Sequence, residues 1–176
     1  MVELLNRPRV GPYILTKRLS PGVLGDRWLA LDERDQTSHV VHRFRHPGTR
    51  EDALRILHAV QQTAALDDAH ILKVEGAALD TKGRPFAVTP YIGDSDGVLT
   101  LDTLLRRKGG LMPIEEAKRA LEHMLGAVQH AHEHALAHGP LSMPEIQVGT
   151  RGNLAVELYG VARLLSTNPR PRAEAE

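Results

Sequence analysis

Apolar and polar residues alternate through the first third of the chain, and turn-forming residues interrupt the alternation at short intervals. Tyr13-Ile14-Leu15-Thr16, Arg27-Trp28-Leu29-Ala30-Leu31 and His39-Val40-Val41-His42-Arg43-Phe44 read as three short antiparallel strands, because a period of two gives each face of a sheet its own set of side chains. Ser20-Pro21-Gly22-Val23-Leu24-Gly25 and Asp32-Glu33-Arg34-Asp35-Gln36-Thr37 supply hairpin-length connections. The period then lengthens. Over residues 50–66 Ala53, Leu54, Leu57, Val60 and Ala64 recur at helical spacing behind Thr49, which can cap. Two more strand-like runs, 71–79 and 85–92, flank the turn Asp80-Thr81-Lys82-Gly83-Arg84.

Beyond Gly93-Asp94-Ser95-Asp96-Gly97 the pattern is helical. Thr100 caps a short helix over 101–107 that stops at Gly109-Gly110. A longer helix over 113–134 opens on Pro113, with Glu115 and Glu116 where the helix dipole favours acids. Ile114, Ala117, Leu121, Met124, Leu125 and Val128 form its apolar stripe, while Ala120, Ala127 and Ala131 keep a second flank small. Such a helix expects packing on more than one side. The predicted architecture is α+β: an arm over 1–9, a five-stranded antiparallel lobe with one helix over 10–92, a hinge or linker over 93–98, a mainly helical lobe over 99–165, and a polar tail or linker over 166–176.

Composition narrows the function without naming it. The chain has 176 residues, 41% of them hydrophobic and 25% charged, as in ordinary globular domains. Twenty-two basic residues balance twenty-two acidic ones, so there is no global field to recruit nucleic acid or an anionic membrane. There is no cysteine, hence neither disulfide framework nor thiolate metal site, and the cytoplasm is the expected compartment. No apolar run is long enough to span a bilayer, and neither membrane insertion nor export is expected.

The chemistry-bearing residues come in short, ordered segments. Gly22 and Gly25 sit in a hairpin, where they either satisfy turn dihedrals or let backbone amides approach phosphates. Val40-Val41-His42-Arg43 follows on the third strand. Thr89-Pro90-Tyr91-Ile92 ends the fifth, and His138-Gly139-Pro140-Leu141-Ser142-Met143-Pro144-Glu145-Ile146 and Val156-Glu157-Leu158-Tyr159-Gly160 lie near the end. In this order they resemble the motifs of the eukaryotic-type serine/threonine protein kinases of bacteria, with a helical lobe shortened at its C-terminus. The resemblance implies a protein-kinase-like fold. It places Pro140 where the catalytic Asp stands, Glu145 at the metal-binding Asn and Leu158 at the metal-binding Asp, with Glu157 expected to point to the other side of an extended chain. Arg43 takes the place of the strand lysine, and Ala59, beside Gln61 and Gln62, that of its helix glutamate.

Proline has no titratable group, so the general-base role has no counterpart at Pro140. The resemblance therefore implies a pseudokinase, not an enzyme, acting as a protein-interaction scaffold or allosteric adaptor in signalling. The alternatives are an ATP-sensing switch and a weakly active kinase. No cofactor is required; ATP without catalytic magnesium is allowed, through Gly22, Gly25, Arg43, Thr89, Tyr91 and Ile92, of which Arg43 reads equally as an exposed strand arginine. No metal is expected: His130, His134 and His138 would share a face only if the helix continued, and they lack an acidic ligand at a metalloprotease position. Kinases of this family continue with helices that cover the one predicted at 113–134. Its face is therefore expected to dock a protein partner, a second copy or further sequence of the same protein.

Overall fold

The computed structural model describes residues 7–22, 24–45, 48–93, 97–139 and 141–161. Pro140, the first part of the arm, the centre of the 93–98 linker and the tail lie outside the described residues. Among the described residues six strands build the first lobe, one more than the alternation predicts: β1 (Arg9–Val10), β2 (Tyr13–Arg18), β3 (Gly25–Asp32), β4 (Ser38–Phe44), β5 (Gly76–Leu79) and β6 (Pro85–Pro90). They pair antiparallel in the order β1-β2-β3-β4-β6-β5. The added strand is two residues long and folds back on β2 across Gly11, whose φ of 56° suits a residue without Cβ.

Register decides what faces the rest of the molecule. Arg27 pairs with His42, Gly25 with Phe44, His42 with Ala87 and Val40 with Thr89, so these side chains share one face. Helix α1 (Arg50–Ala64), capped by Thr49 whose hydroxyl accepts the Asp52 amide at 3.1 Å, lies against β5 and β6. Phe44, Ile56, Ala59, Val60 and Ala87 make a core there with Leu158 and Val161 of the second lobe. On the opposite face Leu15, Ala30, Val41, Phe86 and Val88 form a separate cluster.

The run at 71–79 is a strand only from Gly76. Ile71 instead forms an isolated parallel bridge with Val156, where the Leu72 amide donates to the Val156 carbonyl and the Val156 amide to the His70 carbonyl, both at 2.8 Å. The sequence pattern showed an extended segment but not its partner, which lies in the second lobe. That lobe holds α2 (Leu101–Arg107), α3 (Ile114–Glu133), a 3-10 turn at Met143–Glu145 and the hairpin of β7 (Ile146–Val148) with β8 (Leu154–Val156). Ala127 and Ala131 let α3 close onto β8. The ring of His70 stacks on His123 of α3 at 4.0 Å, and His70 also hydrogen-bonds the Leu154 carbonyl at 3.1 Å. Helix α3 ends before Ala135, whose φ is 56°, so His138 does not join His130 and His134 on a helical face. Part of its stripe is bare: Ile114, Leu121 and Leu125 are 72%, 55% and 66% exposed, while Met124 packs against the cluster of Leu101, Ile146, Val148 and Leu154. No helix among the described residues is long and apolar enough to cross a membrane.

Candidate functional site: a buried charge cluster between the lobes

Between the inner face of the sheet and the β7–β8 hairpin lies a cluster of charged and polar side chains withdrawn from water. Arg27 of β3, His42 of β4, Thr89 of β6, Gln147 of β7 and Glu157, just past β8, are all buried, Arg27 to 1% exposure. The Glu157 carboxylate is the hub. The Arg27 guanidinium donates through Nε to Oε1 at 2.9 Å and through Nη2 to Oε2, the fork that matches a carboxylate. His42 Nδ1 lies 2.7 Å from Oε1, and Gln147 Nε2 donates to Oε2 at 3.2 Å. His42 is held from its other side by the Thr89 hydroxyl, 2.9 Å from Nε2, and Arg27 Nη2 also reaches the Pro144 carbonyl at 2.9 Å.

Burial by itself would push the Glu157 carboxyl up; His42 and then Arg27 outweigh it and hold it at about 2. The charged form is therefore stable inside the protein only because both partners are present. Contact between residues 130 positions apart in the chain makes this a joint between the lobes.

Two expectations about which residues enter the cleft are corrected by these positions. Arg43 faces the other side of the sheet and pairs with Asp80 at 3.3 Å; His42, one residue earlier, enters the cleft. Glu157 points into the cleft, not away from it. Leu158, with φ of 46°, turns beneath α1 into the core of Phe44, Ile56 and Val60. A left-handed leucine is strained, and the apolar pocket that receives its side chain opposes that strain.

The remaining candidate positions have clear surroundings. Glu145 is buried in its own turn, its Oε2 accepting the Ser142 amide at 2.9 Å and hydroxyl at 2.7 Å. A Cβ on Gly22 would stand 3.0 Å from Arg27 Nε, so the loop closes directly over the guanidinium. Gly25 answers a different need: a Cβ there would lie 2.2 Å from the Arg43 carbonyl. Tyr91 and Ile92 line a cavity behind the hinge. Ala59 is buried in the α1 core, and His138 packs edge-on against Tyr159 at 4.8 Å. Among the described residues one group, Asp32, Asp35 and His39, brings three metal-capable atoms together, at the turn between β3 and β4, and it includes none of His130, His134 and His138.

No protein-family model matches the chain. Two crystal structures of the Mycobacterium tuberculosis PknI kinase domain superpose on 88% of it with TM-scores of 0.72 and 0.74, at 15% identity. The chain has a protein-kinase-like fold. It covers 61% and 60% of those two kinase-domain chains. In sequence it is similar to CBL-interacting protein kinase 4 of Oryza sativa subsp. japonica, 26% identical over 163 residues, and to Serine/threonine-protein kinase PrkC of Bacillus subtilis (strain 168), 24% identical over 167 residues. These alignments take in 91% and 93% of this chain but 35% and 25% of the relatives. The bacterial serine/threonine kinase-like resemblance read from the motifs is supported.

The expectation that this chain is not an enzyme is overturned by the same comparison, since both relatives are named as protein kinases and align over nine-tenths of it. The expectation rested on Pro140, Glu145, Leu158, Arg43 and Ala59 standing at motif positions; for Arg43 and Leu158 the register differs from that reading, since the cleft receives His42, Arg27 and the carboxylate of Glu157.

Proposed function

We propose that this kinase-like chain acts in the cytoplasm as a protein-interaction scaffold or allosteric adaptor in signalling. The observation that carries the reading is the bare part of the apolar stripe of α3, where Ile114, Leu121 and Leu125 stand exposed on a helix whose other flank is packed on β8. Exposed apolar surface of this kind marks interaction sites. The occupant we assign is a second copy of the chain. Antiparallel pairing about a two-fold axis lays Leu121 of one copy on Leu125 of the other. It also sets the exposed Glu115 near the histidine-bearing last turn, where His132 is exposed, and opposes the helix dipoles. The lobe joint transmits such an event, because β8 touches α3 on one side and leads into Glu157 on the other.

Light scattering after size exclusion tests this. A dimer is expected at tens of micromolar, and a monomer with unchanged far-ultraviolet circular dichroism for Leu121→Glu/Leu125→Glu. A monomeric wild type at millimolar concentration would sink the assignment.

A second reading, an ATP-sensing switch, is favoured by Arg27, His42 and Thr89 turning into the cleft beneath Gly22. Nucleotide phosphates would compete with Glu157 for Arg27. Thermal shift with ATP, with and without Mg²⁺, separates the two: a ligand at 100 times its dissociation constant adds about 2.7 kcal/mol. A saturable shift favours the switch, and none at millimolar nucleotide removes it.

A further inference from the structure

Behind the hinge, on neither the buried cluster nor the α3 stripe, is a cavity of about 480 Å³, inside the range of about 300–1,000 Å³ usual for small-molecule sites. Three segments wall it: residues 69–73, the stretch 91–93 that follows β6 into the hinge, and the turn of the β7–β8 hairpin at 149–153. Ile71, Leu72, Ile92 and Ala155 give it an apolar floor with the Tyr91 ring beside it. Its rim carries Lys73 and Arg151, both exposed, and no acidic residue lines it among the described residues. Among the described residues neither cation has a hydrogen-bond or ion-pair partner, whereas Arg27, Arg34, Arg43, Arg55, Arg84 and Arg106 are all paired with carboxylates.

An apolar hollow with two unspent positive charges at its mouth fits one ligand chemistry. We propose that this cavity binds a small organic anion, an aromatic or compact apolar body carrying a carboxylate, with the body on the apolar floor and the charge between Lys73 and Arg151. The walls belong to both lobes and are stitched together by the Ile71–Val156 bridge, and Ala155 stands two residues before Glu157. A bound anion therefore braces the segment that carries the hub of the lobe joint. Binding requires neither self-association nor nucleotide, so it stands or falls apart from the function proposed above.

The test uses the whole chain, naphthalene-2-carboxylate as probe and uncharged 2-naphthylmethanol as its partner, followed by calorimetry and amide NMR. The carboxylate is expected to bind at least tenfold more tightly than the alcohol and to shift the amides of Gly93 and Gly149. Lys73→Gln/Arg151→Gln, two exposed side chains, is expected to abolish that preference while leaving the melting temperature unchanged. Equal affinity for acid and alcohol, a preference that survives the double variant, shifts confined to α3, or no binding at millimolar probe would each overturn the proposal.

Discussion

Replacing Arg27 by methionine keeps much of the side chain's bulk and removes its charge. It leaves the buried Glu157 carboxylate with His42 and Gln147 alone and strips the donor from the Pro144 carbonyl. Breaking a buried pair by deleting one partner costs about 3–5 kcal/mol, because the surviving charge stays desolvated. For a chain of this size that corresponds to a melting temperature lower by roughly 6–20 °C. The exposed Arg18–Asp26 pair, at 2.7 Å, is the internal control: Arg18→Met should cost no more than about 1 kcal/mol. Arg27→Met combined with Glu157→Leu removes both charges, and such replacements are often neutral, so the double variant should regain about half of the loss or more. Urea unfolding of the wild type, Arg27→Met, Glu157→Leu and the double variant gives the coupling energy directly. If Arg27→Met costs less than about 1 kcal/mol, the value of a solvated pair, or the double variant is no better than the single, the buried cluster does not join the lobes.

Other outcomes follow from the same geometry. The Glu157 carboxyl is held at about 2, below its ordinary 4.5, so its contribution is fully present above about pH 4.5 and lost as pH falls from there toward 2; this amounts to roughly 3 kcal/mol, and Glu157→Gln should flatten the acid limb of stability in that window. His42→Leu should destabilise by about 2 kcal/mol, since it leaves the buried Glu157 Oε1 with Arg27 Nε as its one donor and unpairs the Thr89 hydroxyl. Arg43→Gln, at the partly exposed Asp80 pair, should cost at most about 1 kcal/mol, and the reverse ranking in denaturant titrations would refute the register. Gly25→Ala drives a Cβ against the Arg43 carbonyl and the Phe44 backbone and should cost about 1–3 kcal/mol, with an unchanged stability speaking against the close approach of β3 to β4.

How much of this was readable in the sequence follows from what kind of signal each element carries. Local signals worked: Thr49 and Thr100 cap the helices they introduce, and alternation placed β2, β3, β4 and β6 within a few residues. Pairing between distant segments left no such trace. The Ile71 stretch looks like a strand because it is extended and apolar, yet its hydrogen bonds go to Val156 across the lobes. At the candidate site the error was a one-residue slip. A period of two sets Val40 and His42 on one face and Val41 and Arg43 on the other, and preferring the cationic residue over the alternating one chose Arg43. Extended-chain reasoning likewise sent Glu157 outward, because it could not anticipate the left-handed turn at Leu158 that redirects the chain after β8. Arg27 offered one clue: an arginine alternating with Leu29 on a strand otherwise apolar toward the core needs a buried partner.

The lobe joint requires Arg27 to be locked against Glu157. The side-chain Nε–Hε resonance of Arg27, assigned in ¹⁵N-labelled protein by its loss in Arg27→Met, reports on that state directly. We expect a resolved signal protected from solvent exchange at neutral pH, with the protection lost in Glu157→Gln. An Arg27 signal that exchanges as fast as that of the exposed Arg18 would contradict it.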